Sequence, residues 1–186
     1  MKELIESPHV DRDSLKALFA VSSALERMIP RLPSAEQHRR GGYFCLMPRE
    51  RRGHSVGTPI LVIQVGEVDD PEKRHKYYKF AVEKAGRLHA YADTDSHKSS
   101  WQSRHPSTDR WGGAILTNKW IFSFSGLPEL ADEAIMLFAA ITLGFMERAD
   151  ADAIARISDN QLYFKLFVQR GWSDHNQTVW DPARMT

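Results

Sequence analysis

Residues 111–146 constrain the fold more than any other part of the chain. Residues 114–116 are apolar and follow two glycines, and the polar segment 117–119 suits a hairpin turn because its asparagine tolerates a left-handed backbone. In residues 120–125, Trp and Phe then alternate with Ile and Ser, which is the period of a half-buried strand. The sequence therefore predicts a strand, a tight turn and a second strand here.

A helix is predicted directly after this hairpin. Pro128 suits a first helical turn, where its missing N–H leaves no hydrogen bond unmade. Glu129, Asp132 and Glu133 bring negative charge to the positive end of the helix dipole. Apolar residues recur at intervals of three and four, as in a helix packed on a sheet. They are Leu130, Ala134, Leu137, Phe138, Ile141 and Phe145.

The rest of the chain adds three helices and two strands. Asp70 and Pro71 form a cap and first-turn signal, which predicts a helix running to about Tyr91. The nearly continuous apolar run of residues 59–65 has the pattern of a central strand. The remaining predictions are a helix over residues 11–29, a short strand over 42–47 and a last helix over 152–168.

This order predicts an α+β fold, an antiparallel sheet with helices packed on it, of the profilin or PAS kind. The 186 residues are expected to form a single domain, 1–186. Its parts are the first helix (11–29), a core (42–146) and a C-terminal helix and tail (150–186). Trp172 and Trp180 in the polar tail suggest docking on the body. Such a fold serves many unrelated functions, so it implies none by itself.

Composition narrows the class of protein. The formal charge of +1 gives no reason to expect nucleic acid or a membrane surface as a partner. Cys45, the one cysteine, excludes an internal disulfide framework and a cysteine-based zinc or iron–sulfur site, and we expect it to be a small buried strand residue. With no secretory signal visible and no apolar run near the roughly 18 residues of a membrane span, we expect a cytoplasmic protein.

Residues 92–110 are rich in Ser, Asp and His, and we interpret them as a long surface loop or partly helical insert. Imidazole and carboxylate together bind zinc, iron or manganese, and a histidine also serves as an axial haem ligand. Because the spacing matches no known metal motif, a solvated loop with local Asp and Ser caps is the alternative. The candidate metal ligands are Asp93, Asp95, His97, His105 and Asp109, and the candidate haem ligands are His97 and His105.

Two basic clusters, His38-Arg39-Arg40 and residues 49–54, are candidate contacts for a phosphate or carboxylate, with a solvated loop as the alternative. Neither a phosphate-binding Gly-x-x-x-x-Gly-Lys loop nor a dinucleotide-binding Gly-x-Gly-x-x-Gly turn is present. Ser123 and Ser125 do not lie in a nucleophile elbow. The usual nucleotide-binding folds are therefore disfavoured.

Four segments carry a further pattern: Ala81-Val82-Glu83-Lys84-Ala85, Gly112-Gly113-Ala114-Ile115, Ser123-Phe124-Ser125-Gly126, and Pro128-Glu129-Leu130-Ala131-Asp132-Glu133-Ala134. Together they resemble the haem-degrading-domain family, the GlcG/HbpS-like proteins, over roughly residues 59–146. The hairpin departs from that family by carrying Thr117-Asn118-Lys119 in place of Asp-Gly. The resemblance implies a homo-oligomeric α+β protein with haem or another small molecule as ligand, and it transfers no catalytic residue.

Three functions remain open from the sequence. The first is a small-ligand-binding or accessory protein, haem-linked in one version, with its ligand between the sheet and the 92–110 loop. The second is a protein-interaction module that forms homo-oligomers or binds a partner through an exposed apolar face. The third is a metal-dependent enzyme that uses His97, His105 and Asp93.

Overall fold

The computed structural model describes residues 12–50 and 57–168. The predictions that fall on Asp11, on Arg51, Arg52 and His54, and on the tail after residue 168 lie outside the described residues. The described elements follow in chain order. They are α1 (Arg12–Met28), β1 (Arg40–Pro48), β2 (Leu61–Glu67), α2 (Pro71–His89), β3 (Ala114–Leu116), β4 (Trp120–Ser125), α3 (Glu129–Thr142), α4 (Arg148–Ile157) and α5 (Gln161–Val168).

The strands form one antiparallel sheet in the order β2-β1-β4-β3. Alternate residues of β1 and β4 face opposite layers, because successive side chains of a strand point to opposite sides. Phe44 and Phe122 pack under α1 and α3, whereas Cys45 and Ile121 pack under α2. The α+β prediction, with helices on an antiparallel sheet, is confirmed.

Two local predictions are also confirmed. The turn of the β3–β4 hairpin lies at residues 117–119, where the Thr117 hydroxyl accepts a hydrogen bond from the Trp120 N–H at 2.9 Å. Cys45 is fully buried on β1, and burial raises the pKa of its thiol to about 12. The thiol is therefore a packing group, since only the thiolate is a good nucleophile.

The prediction that residues 59–65 form a central strand is wrong. The strand there, β2, lies at the edge of the sheet, and β1 and β4 occupy the centre. Its Leu61, Val62 and Ile63 are only half-buried. An apolar run reports that both faces of a strand meet apolar neighbours, but it carries no information about which strands lie beside it.

The C-terminal helices also differ from the prediction. The single helix expected over residues 152–168 is two helices, because Asp159 adopts a left-handed backbone (φ 51°) and ends α4. The side chain of Asn160 then accepts a hydrogen bond from the Tyr163 N–H at 3.1 Å, which starts α5. Gly144 (φ 69°) lies just beyond the end of α3, so Phe145 and Met146 belong to the connection that follows it.

A buried ion pair joins the two faces of the fold. Lys84 of α2 and Asp132 of α3 are 2% and 1% exposed, and their Nζ and Oδ2 atoms are 3.0 Å apart. The Lys84 ammonium also donates to the Phe124 carbonyl at 3.0 Å, and the Leu127 N–H donates to Asp132 Oδ1 at 2.9 Å. Both charges are therefore satisfied by hydrogen bonds inside the protein.

Gly113 makes room for this pair. It has a φ of 111°, and a Cβ at this position would lie 2.7 Å from Asp132 Cβ and 2.9 Å from Lys84 Nζ. We expect Gly113→Ala to lower the free energy of unfolding by about 2 kcal/mol or more, because strain and overpacking add. Chemical denaturation measures the change.

Gly86 provides the matched control for this substitution. It lies within α2, and a Cβ at this position would point into open space, with no neighbouring part of the fold within 4 Å. Gly86→Ala is therefore expected to raise the free energy of unfolding by about 0.5–1 kcal/mol. Equal effects of the two substitutions would contradict the account of Gly113.

Candidate functional site

The middle of the 92–110 loop is packed against the sheet. Ser99 and Ser100 are fully buried. The Leu116 N–H donates to the Lys98 carbonyl at 2.8 Å, at the edge of β3 that faces away from β4. Ser99 also caps the short 3₁₀ helix Ser100–Ser103, where its hydroxyl accepts from the Trp101 N–H at 3.1 Å. The loop is a partly helical insert, which agrees with one of the two forms expected from sequence.

Arg87 of α2 anchors the far side of this loop. Its guanidinium donates to the carbonyls of Ser100 and Ser103, each at 2.9 Å, and to that of Trp111 at 2.6 Å. Its side chain is 9% exposed, so these hydrogen bonds are largely shielded from water. One arginine thus fixes both ends of the segment that leads into β3.

Glu133 ties the same loop to the C-terminal helices. Its fully buried carboxylate accepts hydrogen bonds from Ser99 Oγ at 2.5 Å, from Asn160 Nδ2 at 3.1 Å and from the Ser158 hydroxyl. Burial raises the pKa of Glu133, and the three donors oppose that rise. The loop and the α4–α5 junction are therefore held by one side chain of α3.

The predicted ligand residues of the loop make local contacts. The His97 ring stacks on Tyr91 with centroids 3.8 Å apart, and its Nδ1 lies 3.1 Å from Ser96 Oγ. The Nδ1 atom of His105 lies 3.0 Å from Ser107 Oγ and 3.1 Å from Thr108 Oγ1. These are hydrogen bonds between close neighbours in the sequence.

The three aspartates predicted as metal ligands, Asp93, Asp95 and Asp109, are also not gathered at one site. Asp93 is exposed, and Asp109 has a left-handed backbone (φ 56°) in an exposed turn. Asp95 pairs with Arg49 at 3.0 Å and with Lys98. Within residues 12–50 and 57–168, no group of three or more His, Cys, Asp or Glu side chains is placed to hold a metal ion. The metal assignment of Asp93, Asp95, His97, His105 and Asp109 stays a prediction.

His97 and His105 lie in polar surroundings made by their close neighbours in the sequence. Both rings lie among hydroxyl groups, His97 also stacks on Tyr91, and neither histidine lines either of the two clefts described next. A haem requires an apolar slot beside its axial ligand. Their assignment as cofactor ligands therefore stays a prediction, and no haem chemistry is derived from them.

The more apolar of the two clefts lies between the β3–β4 hairpin and α4, and we call it the α4 groove. It has a volume of about 380 Å³. Half-buried Phe145 and Met146 line it beside Gly144, and Ile157 is 45% exposed. Its apolar lining is Leu116, Phe145, Met146, Ala153, Ile154 and Ile157.

Charges of opposite sign mark the two ends of the α4 groove. Lys98 lies near the end of α4, because Ser99 beside it and Ser158 beside Ile157 both bind Glu133. Arg49 lies beside Lys98, because both bind the carboxylate of Asp95, and its guanidinium also donates to the Thr117 carbonyl of the hairpin turn. The acidic residues of the groove, Glu147 and Asp150, lie at the start of α4, so the other end is negative.

The second cleft, of about 240 Å³, lies between the start of β1, the end of β2 and the start of α2. The basic cluster predicted at residues 38–40 lines it, and Arg39 pairs with Glu36 at 2.6 Å. Burial raises the pKa of the Tyr77 phenol in its wall. Arg39, Arg40 and Lys73 are balanced by Glu67, Asp69 and Asp70. Ligand sites are mostly apolar with few polar groups, so the α4 groove is the stronger candidate.

Sequence reasoning missed the α4 groove. Its hairpin residues (116–118) and its α4 residues (150–157) lie 32 to 41 positions apart, and no local pattern joins them. One signal was available: Gly144 interrupts the apolar run at the end of α3, which releases Phe145 and Met146 from the helix.

Comparison with family models, curated proteins and solved structures finds no match. Among the described residues, no helix combines the length and hydropathy needed to cross a membrane.

The free energy of unfolding is expected to depend on pH through the titration of Asp132. Burial outweighs the attraction of Lys84 and raises the pKa of Asp132 from 3.8 to about 6. Between about pH 4 and pH 6, the folded protein therefore keeps a proton on Asp132 that the unfolded chain has already lost. Because of this, the free energy of unfolding falls as the pH rises through that range.

Asp132→Asn removes that titration and nearly preserves the shape. The free energy of unfolding of the wild type, relative to that of Asp132→Asn, is expected to fall by about 2 kcal/mol from pH 4 to pH 7. Urea titrations at several pH values measure it. A difference that does not change with pH would show that Asp132 does not titrate in this way.

Proposed function

We propose that the protein binds a small, largely apolar molecule in the α4 groove. The observation that carries this proposal is an open cleft of about 380 Å³ lined by six apolar residues together with four charged ones, Arg49, Lys98, Glu147 and Asp150. Its volume falls in the usual range for small-molecule sites, about 300–1,000 Å³. Covering Ile157 and the half-buried Phe145 and Met146 contributes about 25 cal/mol for each Å² of apolar surface removed from water.

This proposal keeps the ligand-binding hypothesis and changes the place of the site. The sequence suggested a ligand between the sheet and the 92–110 loop. The α4 groove touches that loop at Lys98, and its remaining walls are the hairpin, α4 and the connection after α3. Arg87 and Glu133 hold the middle of the loop, at Ser99, Ser100 and Ser103, against the body of the protein.

The family resemblance remains a proposal alongside this one. Two of the segments that carry it meet in the buried ion pair, since Lys84 lies in residues 81–85 and Asp132 in residues 128–134. A third segment supplies Gly113, which borders the pair. In this chain the three motifs therefore share one structural role, the packing of the buried ion pair.

Ala153→Trp tests the groove by filling it. Ala153 is exposed on α4 and lines the groove, so a tryptophan there is expected to occupy the site without disturbing the core. The neutral dye phenylnaphthylamine, which fluoresces in apolar surroundings, is the probe. We expect saturable binding to the wild type and at least tenfold weaker binding to Ala153→Trp.

Arg156→Trp provides the control for this experiment. Arg156 is exposed on the same helix but does not line the groove, so this variant is expected to bind the dye as the wild type does. No saturable binding to the wild type, or equal binding to both variants, would refute the proposed site.

The edge position of β2 favours a second candidate function, self-association. In the described part of the chain β2 pairs only with β1, and its aliphatic Leu61, Val62 and Ile63 are half-buried. Ile60, which directly precedes β2, is 45% exposed, and so is Tyr78 of α2, whose ring packs edge-on against Tyr43 of the neighbouring strand β1. An apolar edge strand without charged protection is a template for pairing with a second chain.

Sedimentation velocity over a range of concentrations tests self-association. Ile60→Lys is expected to shift the wild type towards monomer, because it places a charge at the edge of β2. Leu15→Lys is the control, since Leu15 on α1 has nearly the same exposure, 46%. A monomeric wild type, or an effect of Leu15→Lys alone, would show that β2 is not the interface.

A further inference from the structure

We infer that the α4 groove selects molecules with an anionic head, that Lys98 and Arg49 bind this head, and that Asp95 competes with it as an internal anion. This inference rests on the proposed function, because it assigns a chemical class to the ligand of the same groove. It names three residues outside the apolar lining as the determinants of specificity.

The charge at this end of the groove is unbalanced. Arg49 and Lys98 both pair with the single carboxylate of Asp95, so within these three residues the positive charge exceeds the negative charge by one. Their side chains are 28% and 41% exposed, so they are accessible to a bound molecule while part of each is shielded from water. A partly shielded cation attracts an anion more strongly than a fully solvated one does.

The hairpin holds the Arg49 guanidinium, whereas hydrogen bonds fix only the main chain of Lys98 and Asp95 holds its ammonium. The Arg49 N–H donates to the Lys119 carbonyl at 3.0 Å, and its guanidinium donates to the Thr117 carbonyl at 3.1 Å. Lys98 is fixed by its own carbonyl, which accepts from the Leu116 N–H at 2.8 Å, and by its N–H, which donates to Gln102 Oε1 at 2.7 Å. Groups held in advance lose less conformational entropy when a ligand binds.

The opposite end of the groove sets the orientation of the ligand. Glu147 and Asp150 would repel an anionic head there. The apolar lining between the two ends accommodates the body of the molecule, whose head is then directed to Lys98 and Arg49. The fitting class is an organic anion with one acidic group and an apolar body, such as an aryl or alkyl carboxylate or sulfonate.

Asp95 has a distinct role in this arrangement. It has a left-handed backbone (φ 53°), and its two carboxylate oxygens bind separate cations, Oδ1 the Arg49 guanidinium at 3.0 Å and Oδ2 the Lys98 ammonium. It therefore stays ionised and occupies both cations when no ligand is bound. Asparagine tolerates a left-handed backbone as well, so Asp95→Asn removes the competing charge and keeps the local conformation.

Two fluorescent dyes with the same ring systems test the inference. Anilinonaphthalene sulfonate carries a sulfonate, and phenylnaphthylamine lacks it. We expect Lys98→Met to weaken binding of the sulfonate about tenfold and binding of the neutral dye less than twofold, because the lost contact is a charge-assisted hydrogen bond.

Asp95→Asn is expected to tighten binding of the sulfonate about threefold. Lys119→Met is the control, since Lys119 is exposed on the hairpin, pairs with Asp13 and does not line the groove.

The outcomes separate this inference from the proposed function. Saturable binding of both dyes that Ala153→Trp abolishes, with equal effects of Lys98→Met on the two, would overturn the anionic-head inference and leave the groove as a ligand site. Failure of both dyes to bind the wild type would refute the proposed function itself. Weaker sulfonate binding by Asp95→Asn would overturn the role of Asp95 as a competitor. The expected result is opposite changes in sulfonate affinity for Lys98→Met and Asp95→Asn.

Discussion

The buried pair of Lys84 and Asp132 is the interaction on which most of this structure depends. Removing an ammonium and a carboxylate from water costs several kcal/mol for each ion, and only close pairing with further hydrogen bonds offsets that cost. Here the Phe124 carbonyl and the Leu127 N–H supply those bonds, so α2, the end of β4 and the turn before α3 have to meet at one point. The glycine at position 113 follows from the same constraint, because no side chain fits beside the pair.

Glu133, which follows Asp132 in α3, connects this buried pair to the candidate site. Glu133 binds Ser99 on one side and Ser158 with Asn160 on the other. These contacts hold Lys98 and Ile157, each of which directly precedes a bound serine in the chain, at the same end of the α4 groove. Two adjacent carboxylates of one helix therefore set the packing of the sheet and the spacing of the groove walls. The groove is a fixed feature of the fold because buried hydrogen bonds position both of its sides.

Local signals in the sequence account for the elements but not for their neighbours. The cap at Asp70 accepts a hydrogen bond from the Glu72 N–H at 2.9 Å, as its sequence context predicts. The hairpin turn lies at residues 117–119 as predicted, but the Thr117 hydroxyl closes it, and Asn118 does not adopt the left-handed backbone that was the expected reason. The edge position of β2 depends on pairing between distant strands, which a period of two does not encode. The carboxylates of the 92–110 loop were predicted as metal ligands from the sequence. In the structure, Asp95 binds Arg49, which lies 46 positions away in the chain. The candidate site was missed for that reason: long-range contacts create it.

The most direct test of this account is a methyl NMR titration of isoleucine- and methionine-labelled protein with anilinonaphthalene sulfonate. The account predicts that the methyl signals of Met146, Ile154 and Ile157 shift together along one saturation curve, since all three line the α4 groove. Ile63 on β2 and Ile121 in the core under α2 are predicted to stay unchanged. Shifts centred on Ile63 or Ile121, with no response from Met146, Ile154 and Ile157, would contradict it.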